Sequence, residues 1–305
     1  MMSDEAGTAK EQFAKWGEAL GGHLDDGQID PNSISSVLYD LFWELAAYEA
    51  YIAICKDSPK SVLANLLFGR LTAFNYLQVQ ALRIRRLTEI ASEKEGSKDT
   101  SVYSLMNILI DMKSLRKSGA LTADYICEAY GIPPFRDVYD QGGIKFVGAQ
   151  NGEPTIASII AANNYVMLDR ICDKNGLINK RVLDELEKRL LGDKNTELNG
   201  VISFVGKHIA HSASSTSRQQ LGKELELRIG DMKESIKGIT EAYYACLLLI
   251  TQSDHASMIP VGWQDQLGNL SKHEIEIVYQ SFEKVEADCE KWKANGYAII
   301  HAGEI

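Results

Sequence analysis

The residues best suited to chemistry lie at 204–212, where two histidines occur three positions apart near an expected helix end. His208 and His211 would share one side of a helical turn, with Lys207 beside them. The chain then changes to small polar residues at 212–216, which predicts that the helix stops there. The carbonyl end of a helix favours a protonated imidazole, so His211 is a candidate general acid or base, with His208 and Lys207 beside it as further candidate catalytic residues.

Two other interpretations of the histidines compete with acid–base chemistry. His211 could simply hydrogen-bond the carbonyl groups of a frayed helix end. His208 and His211 could also ligate a metal together, but no nearby residue supplies the third and fourth ligands that such a site needs. We therefore predict no metal and no cofactor.

A histidine that moves a proton on a phosphate needs a separate cation to neutralise the phosphate. Arg218 follows the histidines, and Arg83, Arg85 and Arg86 close an earlier long helix. These arginines are candidate phosphate- or anion-binding residues. The competing explanation for each is a solvated surface charge, which for Arg83, Arg85 and Arg86 the dipole favours at the end of their helix.

The elements that must position these residues are expected to be helices. Long segments rich in Ala, Leu, Glu, Lys and Arg fill the chain of 305 residues, and such segments favour helix over strand. We predict an all-α, up-and-down helical bundle with an N-terminal arm and an additional C-terminal helix. The expected boundaries are a loosely attached arm at 1–32, a bundle at 33–256 with an irregular insertion at 131–153, and a C-terminal helical extension at 257–305.

One long helix is predicted at 59–91, with Ser58 as its N-cap and Pro59 at its first position. Apolar residues recur along one side of it at helical spacing, which predicts a face turned toward the core. The members of this seam are Leu63, Leu67, Arg70, Phe74, Leu77, Ala81, Ile84 and Thr88.

The final helix is expected to begin with a capping box formed by Ser271 and Glu274, and to end near Gly296. Glu44 and Glu49 lie in an otherwise apolar helical segment. We interpret them as ordinary charges on a helix face.

The charge balance argues against a broad nucleic-acid surface. The chain carries 32 basic against 42 acidic residues, a net charge of −10, whereas phosphate binding relies on excess positive charge. Its five cysteines are far apart and form no CxxC pair, which indicates buried reduced thiols in a cytoplasmic protein. The longest apolar run is too short to span a bilayer, so we expect no membrane association.

The order of three segments resembles the HEPN superfamily of helical bundles. A long helix ends in Leu82–Thr88, a later helix contains the run Ser104–Leu109, and the string Gly206–Ser212 precedes another long amphipathic helix. Within that superfamily the chain is similar to bacterial families linked to abortive infection, over roughly residues 34–250. The resemblance implies a dimer in which two motifs face one another, a role in prokaryotic defence or stress response, and an antitoxin or other protein as partner.

Active HEPN proteins are metal-independent ribonucleases that have an arginine, then four to six intervening residues, and then a histidine. His211 matches that histidine, but Phe204, Val205 and Gly206 occupy the positions where the arginine belongs. Lys207 is the nearest cation, and it lacks the planar fork of a guanidinium. We therefore predict a non-catalytic module that binds a protein, nucleotide or RNA, with a ribonuclease toxin as the alternative.

Overall fold

The structure is a computed structural model, and it describes residues 9–21, 30–90, 103–132, 139–140, 143–144, 165–191, 196–206, 228–251 and 270–301. This part of the chain is an all-α helical bundle, as predicted, with a single two-residue antiparallel pairing of Tyr139–Asp140 with Gly143–Ile144. Residues 165–171 are also helical. The main helices are α1 (Ala9–Gly21), α2 (Ile34–Asp57), α3 (Leu66–Thr88), α4 (Leu105–Lys117), α5 (Ala123–Tyr130), α6 (Lys180–Leu190), α7 (Thr196–Phe204), α8 (Ile229–Thr251) and α9 (Lys272–His301).

Helix α8 is the centre of the bundle. From residue 235 onward most of its side chains are buried, including those of Tyr243 and Tyr244. A helix that is apolar on all sides must be surrounded by other elements. Helices α9, α7, α6, α3 and α1 pack around it, so α8 organises the core.

Helix α1 packs into this core, contrary to the expectation of a loosely attached arm. Phe13, Trp16 and Leu20 are buried in the same apolar cluster as the bundle helices, and α1 contacts α5 and α8. The indole nitrogen of Trp16 also donates a hydrogen bond to Asp111 at 3.2 Å. The apolar side of α1 therefore belongs to the hydrophobic core of the bundle.

Polar side chains fix the helix starts, as the sequence predicts for α9. Its capping box is confirmed: the Ser271 backbone N–H donates to Glu274 Oε2 at 2.8 Å, and the Glu274 N–H donates to Ser271 Oγ at 3.2 Å. For α4 the cap is Ser104, which accepts from the Asn107 N–H at 3.1 Å.

Helix α9 continues through Gly296 to His301, so the predicted end at Gly296 is wrong. A Cβ at position 296 would lie 2.5 Å from the carbonyl oxygen of Glu241 in α8. The glycine therefore allows two helix backbones to approach closely, and it does not end the helix.

Helix α3 begins at Leu66, so the predicted start at Pro59 is wrong. Ser58 instead closes α2, where its N–H donates to the Ile54 carbonyl at 2.8 Å. A short 3-10 turn at Val62–Ala64 follows. Asn65 then caps α3 by accepting from the Leu67 N–H at 2.9 Å.

The five cysteines are free thiols, and three of them, Cys127, Cys246 and Cys289, are buried. Burial raises the pKa of Cys246 to about 12, which keeps it protonated. Within the described ranges, no helix is both long and apolar enough to cross a bilayer. In the same ranges, no three side chains of the metal-ligating types come together.

Candidate functional site

The segment with the two histidines falls at the limit of what the structure describes. Helix α7 packs against α3 and α8 and leads into a wider π-helical turn at residues 205–206. Val205, at one of the positions where the HEPN arginine belongs, is buried in the core. The candidates beyond it, Lys207, His208, His211 and Arg218, lie outside the described residues, so their roles stay predictions.

Arg83 and Arg86, near the end of α3, already have partners. Arg83 donates to Asp40 at 2.9 Å and lies 2.5 Å from Glu44. Arg86 donates to the carbonyl and side-chain oxygens of Asn32 at 3.0 and 3.1 Å. An anion at this end of α3 would therefore compete with existing contacts.

Arg85 is more loosely engaged, with its guanidinium 3.5 Å from Glu89 one turn later. Among the three arginines predicted to bind anions, it is therefore the easiest to release. Whether any of them binds an anion stays a prediction.

Glu44 and Glu49 connect helices, so our interpretation of them as ordinary face charges is wrong. Glu44 accepts from Gln80 Nε2 at 2.8 Å, in addition to pairing with Arg83. Glu49 lies 3.3 Å from Lys233 and 2.8 Å from Lys284. The two carboxylates thus tie α2 to α3, α8 and α9.

Lys233 lies between two carboxylates at the centre of this network. Its ammonium is 2.6 Å from Asp288 and 3.3 Å from Glu49. Burial would lower the pKa of Lys233, but the hydrogen bond to Asp288 and the charge of Glu49 outweigh that effect and raise it. The lysine therefore stays charged and serves as a structural link.

The most unusual surface of the described residues is the outer side of α3. Leu67, Leu71, Phe74 and Leu82, which we call the α3 stripe, follow one another at helical spacing and are 79, 57, 57 and 44% exposed. Leu66 beside them is 78% exposed. Isolated exposed apolar residues are ordinary, whereas contiguous apolar patches mark interaction sites.

The concentration of exposed apolar side chains on this one helix is high. Of the 12 large apolar side chains that are exposed among the described residues, 7 belong to α3. Between positions 66 and 82 the only charged residue is Arg70. We predicted that Leu67 and Phe74 face the core, which is wrong, and so we did not identify this surface from the sequence. The near absence of charge over four helical turns is the signal that indicates it.

A groove lined by aromatic rings runs beside the α3 stripe, between α2 and α3, with a volume of about 450 Å³. We call it the aromatic groove and define it by Trp43, Tyr48, Tyr51, Phe68 and Tyr76. The Tyr48 and Tyr76 rings stack with centroids 4.0 Å apart. Among the described residues that line the groove, none is a lysine, arginine or histidine.

The hydroxyl of Tyr76 is the unusual polar group of this groove. Tyr76 is 7% exposed, and its hydroxyl has no hydrogen-bond partner among the described residues. Burial raises the pKa of Tyr76 strongly, and the charges of Glu44 and Glu49 raise it further. The phenol is therefore neutral and lies in a negative potential.

A second, polar cleft of about 370 Å³ lies between α6, α8 and α9. Its buried carboxylate, Glu241, accepts from Arg189 Nε at 2.7 Å and from Asn295 at 2.9 Å. Arg189 also lies 3.1 Å from Glu185, whose pKa is lowered first by a hydrogen bond from Lys188. These groups satisfy one another, so the cleft is explained as a structural ion-pair network.

Comparisons with known proteins add no relative: no family model, curated protein or solved structure matches this chain. The α3 stripe and the aromatic groove are therefore interpreted from their own chemistry.

Proposed function

We propose that this chain is a non-catalytic helical interaction protein, and that it forms a dimer by pairing the α3 stripe of one copy with that of another. The exposure of Leu67, Leu71 and Phe74 in one row is the observation that carries the proposal. Keeping such a row in water is unfavourable, and covering it supplies the driving force for association.

A second copy fits this surface for reasons of charge. The molecule carries a net charge of −10, so two copies repel each other over most of their surfaces. The stretch from Leu66 to Leu82 is nearly neutral, with Arg70 as its only charge. It is therefore a region where two copies can meet without placing acidic groups against each other.

The stripe is also self-complementary about its middle. In an antiparallel arrangement with a two-fold axis at Phe74, Phe74 would face the partner's Phe74, and Leu66 would lie level with the partner's Leu82. Arg70 would lie level with the partner's Gln78 and about 12 Å along the helix axis from the partner's Arg70, so no like charges would meet. A closed two-fold contact uses the same patch on both copies, as this arrangement does.

The area involved predicts a weak dimer. Seventeen helical residues span about 25 Å, and a helix face about 10 Å wide then covers on the order of 250 Å² in projection. Stable interfaces bury roughly 800 Å² per partner. We therefore expect association that depends on protein concentration.

Sedimentation equilibrium from micromolar to millimolar protein tests the proposal. We expect a reversible dimer that Leu67→Glu and Phe74→Glu abolish. The matched control is Tyr279→Glu, which changes an exposed residue of α9 and should leave the dimer intact. Circular dichroism of each variant checks that the fold is kept.

A cysteine substitution at position 74 tests the geometry directly. Under mild oxidation Phe74→Cys should form an intermolecular disulfide across the two-fold axis, and Tyr279→Cys should not. A monomer at every concentration, or a dimer that Leu67→Glu leaves unchanged, would contradict the proposal.

The other functions predicted from the sequence depend on His211 and its neighbours and stay predictions. They comprise the HEPN relationship, binding of RNA, a nucleotide or an antitoxin, and metal-independent RNA cleavage. Incubation of the pure protein with total RNA in EDTA examines the last of these. Cleavage that His211→Ala abolishes would contradict a non-catalytic role.

A further inference from the structure

The aromatic groove has the walls of a small-molecule site. Its volume of about 450 Å³ lies within the usual range for ligand pockets, about 300–1,000 Å³. Five aromatic side chains line it, and Leu71 and Val79 close its outer edge. Such walls favour a compact ligand with an apolar body.

The charges around the groove are unbalanced toward negative. Glu44 lines the groove, and Glu44 and Asp40 share the single guanidinium of Arg83. Among the described residues, one negative charge is therefore left over at that end. Farther along, Glu49 and Asp288 are matched by Lys233 and Lys284.

This excess of negative charge disfavours anionic ligands and favours cationic ones. A phosphate or carboxylate would meet Glu44, and the described residues of the lining offer it no cation. A cation would meet a negative potential and the electron-rich faces of aromatic rings, which attract organic ammonium groups.

The buried hydroxyl of Tyr76 adds a requirement for a polar atom. A buried hydroxyl without a partner is costly. The Tyr76 oxygen is itself buried, so a ligand hydroxyl or N–H removes that cost by bonding it after the Tyr76 ring has shifted toward the groove. The ligand should therefore combine a cationic head with one hydrogen-bonding group.

We propose that the aromatic groove binds a small free organic cation, an ammonium with apolar substituents, and that Tyr76 bonds the polar group of that ligand. The site is separate from the dimer contact, although Leu71 borders both. The Leu67→Glu background keeps the protein monomeric, so the two proposals can fail independently.

Choline and its uncharged isostere 3,3-dimethylbutan-1-ol form the decisive pair of probes, measured by isothermal titration calorimetry in that background. The two share shape and hydroxyl and differ in charge. We expect choline to bind roughly threefold to thirtyfold more tightly, the range that a cation–π interaction supplies. Phosphocholine should bind more weakly than choline, because its phosphate would meet Glu44.

Two variants test the aromatic ring and the Tyr76 hydroxyl separately. Trp43→Ala should lower the affinity for choline more than the affinity for the isostere, because it removes an aromatic ring face. Tyr76→Phe should weaken both probes about equally, because each has lost the same hydroxyl contact. Tyr279→Ala, on α9 and not in the lining of the groove, is the control and should change neither affinity.

Three results would overturn the proposal. The first is equal affinity for choline and the isostere, and the second is choline binding that Trp43→Ala leaves unchanged. The third is an absence of binding at tens of millimolar choline, a concentration at which even a ligand with a millimolar Kd would bind. Tighter binding of phosphocholine would place a cation in the site and would also contradict it.

Discussion

The two halves of α3 have similar apolar sequences but opposite environments. In the second half Ala81, Ile84 and Leu87 are completely buried, whereas in the first half Leu67 and Phe74 are mostly exposed. The spacing is helical in both halves. A helical period therefore identifies the side of a helix that seeks an apolar neighbour, but it does not show whether the chain supplies that neighbour.

The difference arises from what packs against each half. Arg83 and Gln80 connect the second half to α2 through Glu44, and α7 and α8 also contact α3. The first half is held from one side, at the aromatic groove, where the Tyr51 and Phe68 rings meet edge to face. A surface supported on one side is free for an external partner on the other.

Alanine substitutions in the two halves of α3 should give the largest difference in the free energy of unfolding. Ile84→Ala should lower the free energy of unfolding by about 2–5 kcal/mol, because it leaves a cavity in the core. Leu67→Ala should change it by less than about 0.5 kcal/mol, because that side chain is already in water. Urea unfolding of the monomer measures both. A loss above about 2 kcal/mol for Leu67→Ala would mean that the first half is covered.

Two arginines of the same helix sharpen the comparison. Arg83→Ala should lower the unfolding free energy by about 1–2 kcal/mol, because it removes the cation shared by Asp40 and Glu44, both of which are partly exposed. Arg70→Ala is the matched control, since Arg70 is exposed and forms no ion pair among the described residues, and it should cost less than about 0.5 kcal/mol. Equal losses in urea unfolding would contradict this assignment.

The sequence predicted a feature correctly where the residues that determine it lie close together in the chain. The capping box of Ser271 and Glu274 is such a case, because both partners lie within one helical turn. The all-α class is another such case, because it follows from helical periodicity within each segment. These features depend on the periodicity and hydrogen bonding of neighbouring residues, which a single sequence contains.

The predictions were wrong where residues far apart in the chain determine the structure. Gly296 looked like a helix end but is required by the backbone of Glu241, 55 positions earlier. Glu44 and Glu49 looked like surface charges but pair with residues of other helices. The aromatic groove combines residues of α2 and α3 that only the fold brings together. The proposed site was therefore beyond prediction from spacing.

The smallest expected effect concerns the polar contacts that hold the link before α3. Ser61 in this link donates to Glu274 of α9 at 2.9 Å, and His273 lies 2.5 Å from Asp57 at the end of α2. The hydrogen bond to Asp57 raises the pKa of His273, and the charge of Asp57 adds to it. The protonated imidazole therefore favours the folded state.

The sign of the pH dependence follows from this raised pKa. The stabilisation is fully present below the unfolded pKa of histidine, about 6.5, and is lost as pH rises through the higher folded value. A double-mutant cycle of His273→Gln and Asp57→Asn in urea should show a coupling at about pH 5.5 that disappears near pH 9. Because both side chains are largely exposed, the coupling should be small and weakened by salt. A coupling that persists at high pH would mean that a neutral hydrogen bond holds this contact, and that the link before α3 does not depend on charge.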